Sequence, residues 1–144
     1  MYIAEKSGKL LPKDPSKRYL ALQWLFFQVS GLGPMFGQFM HFCRFAKEKI
    51  PYGIERYTTE SKNVLGLLEA HLTGKEYIAD EFSLADLATA PWVKMMLGWC
   101  DSNPEFGIAS SAYPVIGKWV ERFYNRPTIK TGLANIEKIK ASQK

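Results

Sequence analysis

Cysteine and histidine are scarce in this chain, two of each among 144 residues. Neither Cys43 nor Cys100 has a second cysteine or a ligand-spaced histidine beside it. That spacing argues against a C-x-x-C redox centre and the common zinc arrangements. No metal is therefore expected, and both thiols read as free and partly buried. His41 and His71 share no motif and read as structural or surface residues. Long apolar runs are missing too: none reaches the roughly 20 residues that a bilayer crossing needs, and the first residues lack a signal-peptide pattern. A cytoplasmic protein without a membrane partner is expected. Charge of one sign is not concentrated either. The formal charge is +5, its lysines mixed with acids, and no basic helix face alternates with exposed aromatics. Nucleic acid is therefore not an expected partner.

Apolar residues make up 47% of the chain and aromatics 14%, enough for one domain with a ring-rich core. The stretch that organises it is Glu76 to Met96. Ser83 followed by Asp86 has the form of a capping box, in which the serine oxygen accepts a backbone N–H near Asp86. The aspartate reaches back to the N–H of Ser83, and Phe82 and Leu87 are placed to staple over it. Both box residues thus have a complete structural explanation, and Ser83 lacks the G-x-S-x-G setting of a nucleophile. From Leu84 to Leu97 only Asp86 and Lys94 carry charge, so this reads as a core helix surrounded by other helices.

The rest of the chain follows helical periods. Residues 1–7 read as the end of a helix stopped by Gly8, and Asp14 or Ser16 caps the next, with Pro15 in its first turn. A long apolar pattern over 16–45 is broken at Gly31-Leu32-Gly33-Pro34, where the helix must kink or restart. Pro51 to Leu72 is a helix ended by Thr73-Gly74. Residues 101–112 read as a polar loop, Tyr113-Pro114 opens an amphipathic helix ended by Asn125-Arg126-Pro127, and residues 128–139 form a short last helix. No convincing strand appears, so the expected fold is all-α.

YIAEKSGKLLP (2–12), LQWLFFQVSGLGPMFGQ (22–38), IPYGIERY (50–57), EYIADEFSLADLATAPWV (76–93) and YPVIGKWVERFYNRP (113–127) together resemble the C-terminal half of a glutathione S-transferase. The likeness is strongest to the nu class, the disulfide-reducing type. It implies the helical-bundle fold of that half, built around the helix that starts at Ser83. It also implies that residues 1–11 are the remnant of the last helix of a thioredoxin-like domain plus a linker, and that 12–144 are the helical domain. Since the thioredoxin-like half supplies the glutathione cleft and the thiol-activating residue, this chain alone is expected to be inactive and to hold no catalytic residue.

With that half present, the resemblance implies conjugation or disulfide reduction with glutathione as co-substrate. Arg56 would approach glutathione, through a guanidinium whose fork suits a carboxylate. The alternative for Arg56 is a surface ion pair with Glu55 or Glu60. Met35, Phe36, Gln38, Phe39 and Trp92 would line the pocket for a small hydrophobic electrophile or disulfide; the alternative is that the ring and thioether stripe is core. A homodimer is implied, and uncovered apolar surface on the first long helix is expected to favour self-association. The second functional reading is a stand-alone, non-catalytic interaction module of the same fold.

Overall fold

The computed structural model describes residues 1–143, and those residues contain helices and no strand. The first helix, α1 (Tyr2–Ser7), stops at Gly8, whose left-handed φ of 66° lets its N–H turn back to close the helix end. The linker then ties itself to the core, because Leu84 N–H donates to the Leu10 carbonyl at 2.8 Å. Asp14 caps α2 (Pro15–Phe27) by accepting from Lys17 N–H, with Pro15 in the first turn as its sequence suggests.

The break expected at Gly31–Pro34 takes a particular form. The chain widens into a π turn over Gln28–Leu32, resumes as α3 (Gly33–Met40), and widens again over His41–Phe45. In the first wide turn Gly33 N–H reaches the Gln28 carbonyl five residues back. The polypeptide thus absorbs the donor that Pro34 lacks without ending the helical limb. α4 (Pro51–Leu72) has the bounds the sequence marks. α5 (Leu84–Asp101) starts at the Ser83 cap. Two 3₁₀ turns follow, over Pro104–Phe106 and Ser110–Ala112. They pin the segment that reads as a plain loop, with Ile108 buried and Phe106 stacked on Trp99.

α6 (Pro114–Asn125) has no cap of its own. Glu69 of α4 supplies one from across the bundle, its two carboxylate oxygens accepting from Val115 N–H at 2.9 Å and Ile116 N–H at 2.8 Å. α7 (Pro127–Ser142) is longer than the expected 128–139, packs on α6 and buries no residue.

The core joins Leu32, Phe36 and Phe39 of the first limb, Leu65 and Leu68 of α4, Val93 and Met96 of α5, and Ile116 and Trp119 of α6. α5 is central to it, yet it is not covered all round as its apolar sequence suggests. Leu87, Trp92 and Met95 on it remain 37%, 36% and 50% exposed.

Candidate functional site

Five residues of the first limb and α5 are pocket candidates from the sequence, and the π turns sort them. Phe36 and Phe39 are fully enclosed in the core. Neither ring has exposed surface, and both pack against the other helices of the bundle. The widened turn before α3 sets which side of that helix faces inward, and these two rings lie on it. Met35 is half-buried, Gln38 is exposed and Trp92 is 36% exposed.

Gly33 holds this corner together. A Cβ built on it would lie 3.1 Å from the Gln28 carbonyl oxygen, 3.2 Å from Gln28 Nε2 and 4.0 Å from the Trp92 ring. A side chain there would need the Gln28 carbonyl and amide to give by a few tenths of an ångström, while the indole would be in ordinary contact.

Arg56 stands apart from that corner. It lies exposed on α4 in a shallow hollow with Tyr52, Glu55, Thr59 and Glu60. That hollow includes none of the α3 residues. Among the described residues Arg56 makes no ion pair, so the surface pairing with Glu55 or Glu60 is not formed. Its hydrogen bond to the Tyr52 hydroxyl raises its pKa above the ordinary arginine value, so the exposed fork is permanently charged.

The Ser83–Asp86 box closes, in a modified form. Ser83 N–H donates to Asp86 Oδ2 at 2.9 Å, and the serine hydroxyl donates to the same oxygen at 3.1 Å while accepting from Ala85 N–H at 3.3 Å. The carboxylate does more than the sequence suggests. Its other oxygen accepts from Ile78 N–H at 3.0 Å and from Trp119 Nε1 at 2.9 Å, tying the 76–82 loop and α6 to the start of α5. Burial pushes the Asp86 pKa up, and the bonds from Ile78, Trp119 and Ser83 oppose that rise. The staple is looser than expected. Phe82 turns its ring to Tyr77 and Phe123, and Leu87 stays partly exposed.

The remaining candidates for chemistry are quiet. Burial raises Cys43 to about 11 and Cys100 to about 12, so both are free, protonated thiols. His71 Nε2 lies 2.7 Å from the Ile78 carbonyl, with its ring against Trp24. Among the described residues no three of His, Cys, Asp and Glu gather as a metal site, and no helix is long and apolar enough to cross a membrane.

Sequence reasoning missed a hollow of about 820 Å³ whose walls include Leu10, Tyr77, Phe82, Leu87, Arg126 and Ile129. Arg126 Nη1 donates to the Tyr77 hydroxyl at 2.7 Å, and its guanidinium carbon sits 3.8 Å over the Phe82 ring. Its Nε is buried without a hydrogen-bond partner, and no carboxylate pairs with it among the described residues. The only signal was the Arg126-Pro127 step. A residue before proline is extended, here at φ −63° and ψ 132°, which carries the arginine off the end of α6.

Residues 34–127 match the family profile described as glutathione S-transferase, C-terminal domain. The chain is 39% identical over 128 residues to the disulfide-bond oxidoreductase YfcG of Escherichia coli, covering 88% of this chain and 56% of that protein. It is 40% identical over 134 residues to the glutathione S-transferase-like protein tpcF of Aspergillus fumigatus, covering 87% and 59%. Among solved structures it superposes on a glutathione transferase from Pseudomonas putida, crystallised with one glutathione disulfide per subunit. The TM-score there is 0.83 at 40% identity, over 92% of this chain and 57% of that one. A Burkholderia graminis glutathione transferase with two glutathione molecules bound per subunit gives 0.83 at 41% identity, over 92% and 55%. The chain thus spans a little over half the length of these relatives.

Proposed function

The chain belongs to the glutathione S-transferase family through its C-terminal domain, and from that premise we propose that it acts as the helical half of a glutathione-dependent thiol-transfer enzyme. One observation carries the reading: the fold and 40% identity it shares with a transferase crystallised with glutathione disulfide. In this reading glutathione supplies the thiolate, because the chain's own cysteines are buried and protonated. A thioredoxin-like half, to which residues 1–11 form the junction, binds and activates it. Residues 12–144 present the electrophile, a disulfide or small apolar acceptor. The glutathione thiolate attacks one sulfur of the disulfide; the new S–S bond forms as the old one breaks, and the leaving sulfur departs as a thiolate that takes a proton from solvent.

Met35 and Trp92 offer a polarizable thioether and a half-open indole to that acceptor, with Gln38 as a polar contact. Arg56 offers its unpaired fork to a glutathione carboxylate. Self-association completes the proposal, since Tyr19 and Phe26 on α2 and Val29 in the first π turn are more than half exposed.

The test is disulfide reduction assayed with glutathione. The 144-residue chain alone should give only the uncatalysed rate, and addition of a family thioredoxin-like half should restore turnover. In the restored enzyme Trp92→Ala should raise KM for the disulfide about tenfold with little change for glutathione, and Arg56→Ala should do the reverse. Turnover by the isolated chain, or equal effects of both variants on both substrates, overturns the assignment. The stand-alone interaction module is favoured by one observation, the open hollow at Arg126, and it is the reading left if restoration fails.

A further inference from the structure

We propose that the hollow at Arg126 is a docking site for the free C-terminus of a partner protein, one that ends in an apolar residue with a basic residue just before it. The inference does not depend on thiol transfer, and it gives the interaction reading above a partner of stated chemistry.

Arg126 is set up for a carboxylate that the chain does not provide. Its φ of −63° and ψ of 132° turn it off the end of α6. One amino group donates to the Tyr77 hydroxyl at 2.7 Å and the guanidinium lies 3.8 Å over the Phe82 ring, so the fork is held at a fixed place. Nε has no hydrogen-bond partner, and no carboxylate pairs with Arg126 among the described residues. A buried donor left this way is costly, and a planar acceptor brought from outside relieves it. α7 adds to the attraction. It begins on the wall of the hollow, at Arg126, Thr128 and Ile129, with no side chain capping its first turn. A helix of 16 residues presents partial positive charge at that end.

The surroundings of the fork select the rest of the ligand. Leu10, Leu87 and Ile129 give the hollow apolar walls, which suit an apolar side chain next to the carboxylate. Its volume, about 820 Å³, lies within the roughly 300–1,000 Å³ of ligand sites. The rim has the opposite sign. Glu76 and Glu81 are exposed on it and form no ion pair among the described residues, whereas Asp80 is held by Lys75 at 2.6 Å. Lys9 on the same rim offsets one acid and leaves an excess. A bare anion therefore loses at the rim part of what it gains at Arg126. A chain end with lysine or arginine just before its last residue meets both signs at once, and such complementarity fixes orientation as well as partner. The mode is capture of a C-terminal carboxylate, with the apolar walls and the acids supplying specificity.

Fluorescence anisotropy on the 144-residue chain tests this, with a dye at the N-terminus of a short peptide that ends in lysine-leucine. The free acid should bind saturably, and its C-terminal amide at least about tenfold more weakly, the loss expected of one charge-assisted contact. Glutamate in place of the peptide's lysine should weaken binding about fivefold. Glu81→Lys should reverse that order, so that the glutamate peptide binds better, a swap that loss of folding cannot produce. Arg126→Gln should abolish saturable binding, with circular dichroism to verify the helices. Glutathione should not displace the peptide, which separates this site from the thiol-transfer reading. Equal binding of acid and amide, displacement by glutathione, or undiminished binding by Arg126→Gln overturns the docking site. Competition by 4-methylpentanoate as tight as the peptide itself would mark a site for small apolar acids and overturns the peptide assignment.

Discussion

Asp86 holds a carboxylate where water does not reach it, and four hydrogen bonds make that tolerable: two from Ser83, one from Ile78 and one from Trp119. Truncation strands at least three buried donors, each costing about 1–3 kcal/mol. Asp86→Ala should therefore destabilise the fold by ~3–5 kcal/mol, and Asp86→Asn by somewhat less, read as a lower urea midpoint. The pH dependence has a definite sign. Burial raises the native pKa above the ordinary aspartate value of 3.8, so on acidification the folded protein takes up this proton before the unfolded chain does. The contribution is full below the unfolded value and is lost as pH rises through the raised native one. The stability gap between wild type and Asp86→Asn should thus widen as pH falls through that window. A gap that narrows there would show that the hydrogen bonds outweigh desolvation.

At the scale of elements, boundaries were legible where a residue type has one meaning and opaque where geometry accumulates along a helix. Pro51 and Thr73-Gly74 bracket α4 because proline starts a helix and the turn after Leu72 ends one. Asp14 and Ser83 read as caps for the same local reason. The two π turns carry no such mark, and each shifts the rotation of everything after it. Phe36 and Phe39, level with Met35 in the sequence pattern, accordingly face the core. The second π turn has a consequence for α4. It delivers Phe42 onto the backbone of Gly53, where an added Cβ would lie 2.7 Å from the ring, and Phe42 stacks on Tyr57 at 5.3 Å. Gly53→Ala should cost about 1–2 kcal/mol despite the better helix propensity of alanine. Gly66→Ala in the same helix, with nothing within 4 Å, should add about 0.5–1 kcal/mol. Denaturant melts in which both substitutions change stability alike would mean that the Phe42 ring yields freely.

For the whole molecule, the two cysteines report how far the core behaves as one unit. Cys43 closes the first limb and Cys100 lies near the end of α5, and both belong to the cluster that joins α3, α4, α5 and α6. Burial raises their pKa values to about 11 and about 12, so at neutral pH the reactive thiolate is scarce in the folded state, and a thiol reagent must wait for an opening. If one cooperative core holds both, that opening is global unfolding, at about 5–15 kcal/mol for a domain of this kind. Labelling rates of the two residues, followed by mass spectrometry across sub-denaturing urea, should therefore coincide and share the slope of global unfolding. Much faster labelling of Cys43 would show instead that the second π turn opens locally. It would also reopen the question of which thiol does the chemistry, because the proposed role rests on glutathione as the only available nucleophile. Coincident rates close that route: a chain whose sulfur is released only by unfolding contributes surface and shape to thiol transfer, with the sulfur supplied from outside.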